Sequence, residues 1–300
     1  MIFYHLILLV TSLAILVWGA DKFVDNSSLI AKKFGLSELT IGLTIIALGT
    51  SAPEIFVGIS SVFNGTEALA MGTVIGSNIS NIALIFGVSC IGVSMRPAKT
   101  NLVQFIPFAI AAIILGLVLL DLKITVIEGW VLLIIFALFI FITYQYRGSK
   151  VDDQIQESTT GTITILLYLT VGLLALIGGS NFAVIHAEKI AYVLNVPQLI
   201  IGLTIIALGT SLPELAATIS AIMKNKNDMV IGNVIGSNVM NIALVLPIIG
   251  FFSNTSFDST VLSRDYFVML IATILFVLLA ATYSSNKINL KFIRFVGCIF

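Results

Sequence analysis

The chain has 300 residues and a formal net charge of zero; 58% of it is hydrophobic and only 10% charged, with a mean hydropathy of +1.11. Soluble domains carry about 25% charged residues, so the composition excludes an ordinary soluble domain and indicates an all-α polytopic membrane protein. It contains no basic or acidic block, and nothing suggests nucleic-acid binding.

A bilayer core of about 30 Å takes about 20 apolar residues per helix. The first span falls at 3–18, with an amphipathic extension toward Lys33; it lacks the basic n-region of a signal peptide. The second covers 39–63 and contains Glu54. The third runs over 68–93, the fourth over 102–120 and the fifth over 124–144. A polar linker, 147–160, has acids, Ser, Thr and Gly without apolar periodicity. The sixth span, 163–178, again has an extension, toward Val196. The seventh, 199–223, contains Glu214; the eighth is 230–252 and the ninth 266–282. A tenth begins near Ile288 and has about a dozen residues, short of a full crossing. Cys90 and Cys298 sit in apolar sequence and read as core side chains rather than a disulfide or metal pair.

The two halves repeat. Ile41–Ser51 and Ile201–Ser211 carry the same sequence, IGLTIIALGTS, 160 positions apart, and each continues through one variable residue to Pro-Glu, at Pro53-Glu54 and Pro213-Glu214. At the same offset Gly19 matches Gly179, Val74–Asn78 matches Val234–Asn238, and Asn81–Leu84 matches Asn241–Leu244. Residues 1–146 and 161–300 therefore read as two five-helix repeats joined by a cytoplasmic linker, the last helix of the second apparently incomplete. Five is odd, so the second copy enters the membrane from the opposite face, and about ten helices form two inverted repeats, a transporter signature. Loops after odd-numbered spans, with the start of the last segment, hold twelve basic residues (Lys22, Lys32, Lys33, Arg96, Lys99, Arg147, Lys150, Lys224, Lys226, Lys287, Lys291, Arg294) against three on the other side (Lys123, Lys189, Arg264). That places the linker in the cytoplasm and the N-terminus outside the cell membrane.

Of the fifteen acids, only Glu54 and Glu214 fall near the middle of a span; Glu128 is the deepest of the others. A mid-membrane charge costs several kcal/mol and usually faces a cavity where it works. The bland alternative, a protonated glutamate bonded inside a bundle, is weaker for two acids at symmetric positions. Pro53 and Pro213, aided by Gly49 and Gly209, are expected to break their helices and free carbonyls such as those of Ala47, Thr50, Ala207 and Thr210; broken helices at this depth line cavities. Carbonyls, hydroxyls and two carboxylates make an all-oxygen set, suited to hard cations such as Ca²⁺ or Na⁺. Ser77 and Asn81, four apart, share a helix face, as do Ser237 and Asn241, and read as ligands or their supports. The glycines of Gly72-xxx-Gly76 and Gly232-xxx-Gly236 read as helix-packing positions. His5 and His186 fall near span ends and read as interfacial. Two ionised glutamates carry −2, which one Ca²⁺ neutralises; an empty −2 cavity is costly, so at least two monovalent cations, or two protons, should replace it. Such a site exchanges rather than conducts.

The motif pair GTSxPE and GSNxxN, repeated over essentially the whole chain, resembles the sodium/calcium exchanger branch of the calcium/cation antiporter superfamily, in its prokaryotic form without a large regulatory domain. The resemblance implies ten helices, with the second, third, seventh and eighth as a core and the first and sixth as tilted helices sliding against it. It implies Ca²⁺ coordination by Glu54 and Glu214 with the Thr50 and Thr210 carbonyls. It implies Na⁺ sites from Ser51, Ser77, Ser211, Ser237, the carbonyls of Ala47 and Ala207, and the same glutamates. Asn81 falls on a position that is polar in the family. Many relatives have aspartate where this chain has Asn241, which weakens a case for K⁺ co-transport. The expected activity is secondary-active Ca²⁺/Na⁺ antiport by alternating access, without a cofactor or obligatory protein partner, the lipid bilayer being its surroundings. H⁺-coupled Ca²⁺ exchange is the alternative, ahead of a cation channel; an intramembrane enzyme lacks a His or Cys cluster and a nucleophile–base pair.

Overall fold

A computed structural model describes residues 2–92, 102–148, 161–197, 205, 207–253 and 255–284. Nearly all of these are helical, as backbone that must satisfy its own hydrogen bonds in lipid requires. Helix α1 is Ile2–Lys33, unbroken for 32 residues, so the first span and its extension are one element of about 48 Å at 1.5 Å per residue. Next come α2 (Glu38–Thr50) and α3 (Ala52–Phe63), bent by 47° at the break between them. Then follow α4 (Glu67–Cys90), α5 (Val103–Asp121) and α6 (Val126–Gln145). The second half contains α7 (Thr162–Val193), α8 (Ala207–Thr210), α9 (Leu212–Met223), α10 (Asn227–Phe252) and α11 (Val261–Ala280).

Among the described residues seven helices are long and apolar enough to cross a membrane, or eight with α2 and α3 taken as one span. The tenth span lies outside the described residues. So do Cys298, most of the linker, the start of the seventh span and six of the twelve basic residues assigned to one side: Arg96, Lys99, Lys150, Lys287, Lys291 and Arg294. The ninth helix starts five residues before the expected Tyr266, because Val261–Tyr266 forms a wide π turn that leads into it. Glu128 is not a membrane acid: it closes a capping box at the start of α6. Its Oε2 accepts from the Thr125 backbone N–H (2.7 Å) and hydroxyl (2.8 Å), while its own N–H donates to Thr125 Oγ1 (3.3 Å), a common helix-start device.

Burial sorts the helices. In its most apolar stretch 83% of α10 is buried, against 17% of α1 and 22% of α7. The centre is therefore α10 with α2, α3, α4 and α9, and α1 and α7 lie together on the outside. Small residues set both approaches. A Cβ placed on Gly232 would lie 2.5 Å from Leu39 O, and one on Gly236 2.5 Å from Leu43 O, so α10 and α2 touch backbone to backbone. Gly232 and Gly236 thus fill the packing role expected of all four glycines, whereas Gly72 and Gly76 do not: a Cβ on either would meet nothing within 4 Å. Likewise a Cβ on Gly179 would lie 2.6 Å from Leu16 N, and one on Gly172 2.7 Å from Phe23 N, which brings α1 and α7 into direct backbone contact.

Candidate cation site

Proline shapes the site first. Pro53 and Pro213 each occupy the opening turn of the helix after the break, where a missing N–H costs nothing. Ser51 has φ −82° and ψ 3°, and Ser211 φ −93° and ψ 4°, so both copies turn at the same residue. One expected consequence is corrected. The Ala47 carbonyl is not freed by the break: the Ser51 N–H donates to it at 2.9 Å, because the α2 hydrogen-bond ladder runs one residue past its end. In the second copy the Ser211 N–H turns instead to Leu208 O, at 3.1 Å. The acceptor that a proline deprives is four residues upstream, which is Gly209 for Pro213, and Ser180 Oγ of α7 donates to that carbonyl at 3.1 Å.

The break brings the two carboxylates into a common interior. Glu54 and Glu214 are each 1% exposed. Ser51 Oγ donates across the repeats to Glu214 Oε1 (3.3 Å), and Ser77 Oγ donates to Glu54 Oε1 (3.3 Å). The other oxygen of each carboxylate, Oε2, is buried with no hydrogen-bond partner, and so is Ser211 Oγ. Buried polar atoms are normally paired. Three unpaired oxygens, all from residues at the two helix breaks, suit a hard cation. Among the described residues no three His, Cys, Asp or Glu side chains cluster as a metal group, so the oxygens would have to come from hydroxyls, carboxamides and carbonyls as well.

The asparagines form a layer beside the carboxylates. Asn81 Nδ2 donates to Asn238 Oδ1 (3.0 Å) and Asn241 Nδ2 donates to Asn78 Oδ1 (3.2 Å), each bond joining the two halves, and Asn78 Nδ2 donates to Asn238 O (3.4 Å). The carboxamide oxygens of Asn81 and Asn241 remain buried without partners. Both asparagines begin π turns, Asn81–Phe86 and Asn241–Val245, a wide turn frequent at functional sites.

The structure therefore gathers Glu54, Glu214, Ser51, Ser211, Ser77, Asn81 and Asn241 into buried positions around this interior. Thr50 is fully buried and its hydroxyl donates to Asn233 Oδ1 (3.2 Å); Thr210 is partly buried. Ser237 is fully buried and donates to Asn233 Oδ1 (3.4 Å), not to a carboxylate. Sequence reasoning missed Asn233, Thr218, Asn78 and Asn238. The last two were visible inside the repeated GSN. Asn233 was hidden because matching the halves pairs it with Thr73; its spacing of four before Ser237 was the available signal. It also missed that the chain's two histidines meet, His5 Nδ1 lying 3.2 Å from His186 Nδ1 where α1 and α7 run side by side.

The family model described as "Sodium/calcium exchanger protein" matches residues 4–145 and 164–300. The chain belongs to the sodium/calcium exchanger family. Family membership makes it a multi-pass membrane antiporter for cations and not an enzyme. Among relatives of this exchanger, the putative antiporter CaxA of Alkalimonas amylolytica is 36% identical, the match covering 98% of this chain and 94% of the relative. Sodium/calcium exchanger MaX1 of Methanosarcina acetivorans is 28% identical over 84% of each chain. Among solved structures, the sodium-calcium exchanger NCX_Mj soaked with Na⁺ and Sr²⁺ superimposes with a TM-score of 0.83 at 29% identity, covering 100% of this exchanger and 95% of that chain. The exchanger fold expected from the motifs is thus the fold observed.

Proposed function

We propose that this exchanger carries Ca²⁺ against Na⁺ through one site built from both repeats, with Glu54 and Glu214 as the divalent ligands. The observation that carries the reading is the pair of buried carboxylates, each held on one oxygen by a serine and unpaired on the other. Among the described residues no ion pair or hydrogen bond joins a Lys or Arg to either, so their charge is left for a cation. One Ca²⁺ neutralises −2, and its release from a low-dielectric cavity calls for at least two monovalent ions in its place. Ser51, Ser77, Ser211 and Ser237, the carbonyls of Thr50, Ala207 and Thr210, and the amide oxygens of Asn81 and Asn241 would complete the Ca²⁺ and Na⁺ shells. Relatives carrying "sodium/calcium exchanger" in their names support Na⁺ as the driving ion.

Everted vesicles loaded with Na⁺ should take up labelled Ca²⁺ on dilution into Na⁺-free buffer. Uptake that ignored Na⁺ and followed an imposed pH gradient would replace this reading with H⁺ exchange, and conductance without counter-transport would replace it with a channel.

Access would alternate by sliding of α1 and α7 across the core. One end of α1 is tied to it: Lys224 Nζ lies 2.5 Å from Asp21 Oδ1 and 2.6 Å from Asp25 Oδ1, and Lys226 Nζ 3.5 Å from Asp25. The matching positions in the other half are Asn64, Thr66, Asn181 and Ile185, which hold no charge. The twelve-to-three distribution of basic residues puts this tie on the cytoplasmic side. Exposed ion pairs contribute about 0.2–1 kcal/mol each. Lys224→Ala with Lys226→Ala should therefore shift the balance toward the cytoplasm-open form by about three- to tenfold. The measurement is cysteine labelling from each side of the membrane, and unchanged labelling would remove the tie from the gating step.

A further inference from the structure

The four serines of the site are equivalent in the repeated sequence but not in the structure. Ser51 and Ser77 both give their protons to carboxylates. Ser237, the counterpart of Ser77, gives its proton to Asn233 Oδ1 at 3.4 Å. The same oxygen takes the Thr50 proton at 3.2 Å. The Asn233 carboxamide is itself fixed, because its Nδ2 donates to Thr218 Oγ1 at 3.3 Å. Thr50, Asn233, Thr218 and Ser237 are all at most 2% exposed, so water does not compete for these bonds. At the matching positions of the first half stand Thr73 and Gly58, which cannot build the same clamp: Gly58 has no side chain, and a Cβ there would collide with Val245 Cγ1.

The chemical consequence concerns lone pairs. A hydroxyl has one proton and two acceptor lone pairs. A serine whose proton points at a carboxylate must turn, or direct that proton past the cation, before its oxygen can ligate. A serine whose proton is held elsewhere presents its oxygen as an acceptor from the start. We propose that Asn233 is a positioning residue for Na⁺: by taking the Ser237 proton it sets the Ser237 oxygen toward a monovalent ion, and it makes the second-repeat side of the site the tighter Na⁺ position. Ca²⁺ binding leans on the two carboxylates and is less sensitive to the direction of one hydroxyl. This inference rests on the Na⁺-driven reading above.

The test measures Na⁺-dependent Ca²⁺ exchange in proteoliposomes, with the half-saturating Na⁺ and Ca²⁺ concentrations determined separately. Asn233→Ala should raise the half-saturating Na⁺ concentration about fivefold, the scale of one oriented hydrogen bond, and should move it more than the Ca²⁺ value or the maximal rate. In the Ser237→Ala background the same substitution should add little, because the oxygen it orients is gone. Thr218→Val, which only unpins the carboxamide, should shift Na⁺ dependence the same way by a smaller factor and serves if Asn233→Ala does not fold. An unchanged Na⁺ value in both variants would overturn the inference. So would an equal shift in the Ser237→Ala background, or parallel shifts for Na⁺ and Ca²⁺, which mark general loosening. If the wild-type protein exchanges without regard to Na⁺, the Na⁺-driven reading fails instead, and that result is visible before any variant is compared.

Discussion

Glu54→Gln and Glu214→Gln are each expected to cut Ca²⁺ exchange by at least about 100-fold while the protein still folds. Glutamine keeps the shape and one carbonyl-type oxygen but removes the charge. Both carboxylates are 1% exposed, so water cannot substitute for the lost ligand or screen the divalent ion. Removing one partner of a buried charge interaction typically costs about 3–5 kcal/mol, which is about 10² to several times 10³ in an equilibrium constant. The bonds at stake on the protein side are single serine contacts of 3.3 Å, and a glutamine oxygen can accept them, so folding should survive. The measurement is labelled Ca²⁺ uptake per milligram of reconstituted protein, with size-exclusion profiles as the folding control. A variant retaining more than a tenth of the wild-type rate would remove that glutamate from the transport site. Ser51→Ala makes a useful contrast: it deletes one neutral ligand and one bond to Glu214, and a loss of about tenfold is expected, the scale of one hydrogen bond to a charged group.

Gly179→Leu should abolish activity for a different reason, by preventing α1 and α7 from meeting. The Cβ alone would lie 2.6 Å from Leu16 N and 2.8 Å from its Cα, atoms of backbone that cannot rotate away. Overpacking that side chains can absorb costs about 1–3 kcal/mol; here the helices must separate along their length. The expected result is little monodisperse protein and no exchange, with Gly179→Ala partly impaired. Gly19, its match in the first half, faces Leu176 N and Gly172 O of α7 in the same way, and Gly19→Leu should fail alike. Normal exchange by the Gly179→Leu variant would mean that α1 and α7 do not run in backbone contact in the working protein.

Why so much was legible follows from the bilayer. In lipid the backbone must bond to itself, so long apolar runs could only be helices, and their bounds from 102–120 and 124–144 agree within two residues with α5 and α6. An acid in such a run must have a purpose, which singled out Glu54 and Glu214 without any structure. Polar residues such as Asp21 and Asp25 interrupt the apolar pattern of α1, so its last part read only as an amphipathic extension of the span; their partners, Lys224 and Lys226, are about 200 positions away in the chain. The break was placed correctly by its prolines, yet the carbonyl assignment failed at Ala47, since a hydrogen-bond ladder ends where geometry lets it, and Ser51 N still reaches back.

By itself, then, the sequence determined the membrane class, the duplication, the two kinked spans and the identity of the buried acids, all local or periodic properties that need no knowledge of neighbours. Only the tertiary structure decided how the halves differ. Identical letters at Ser77 and Ser237 point to different partners because the residues around them, Thr73 against Asn233 and Gly58 against Thr218, are not repeated. A side-chain hydrogen bond depends on distance and direction between segments remote in the chain, so the duplicated motif specifies a symmetric set of oxygens, while packing chooses which of them are turned toward an ion.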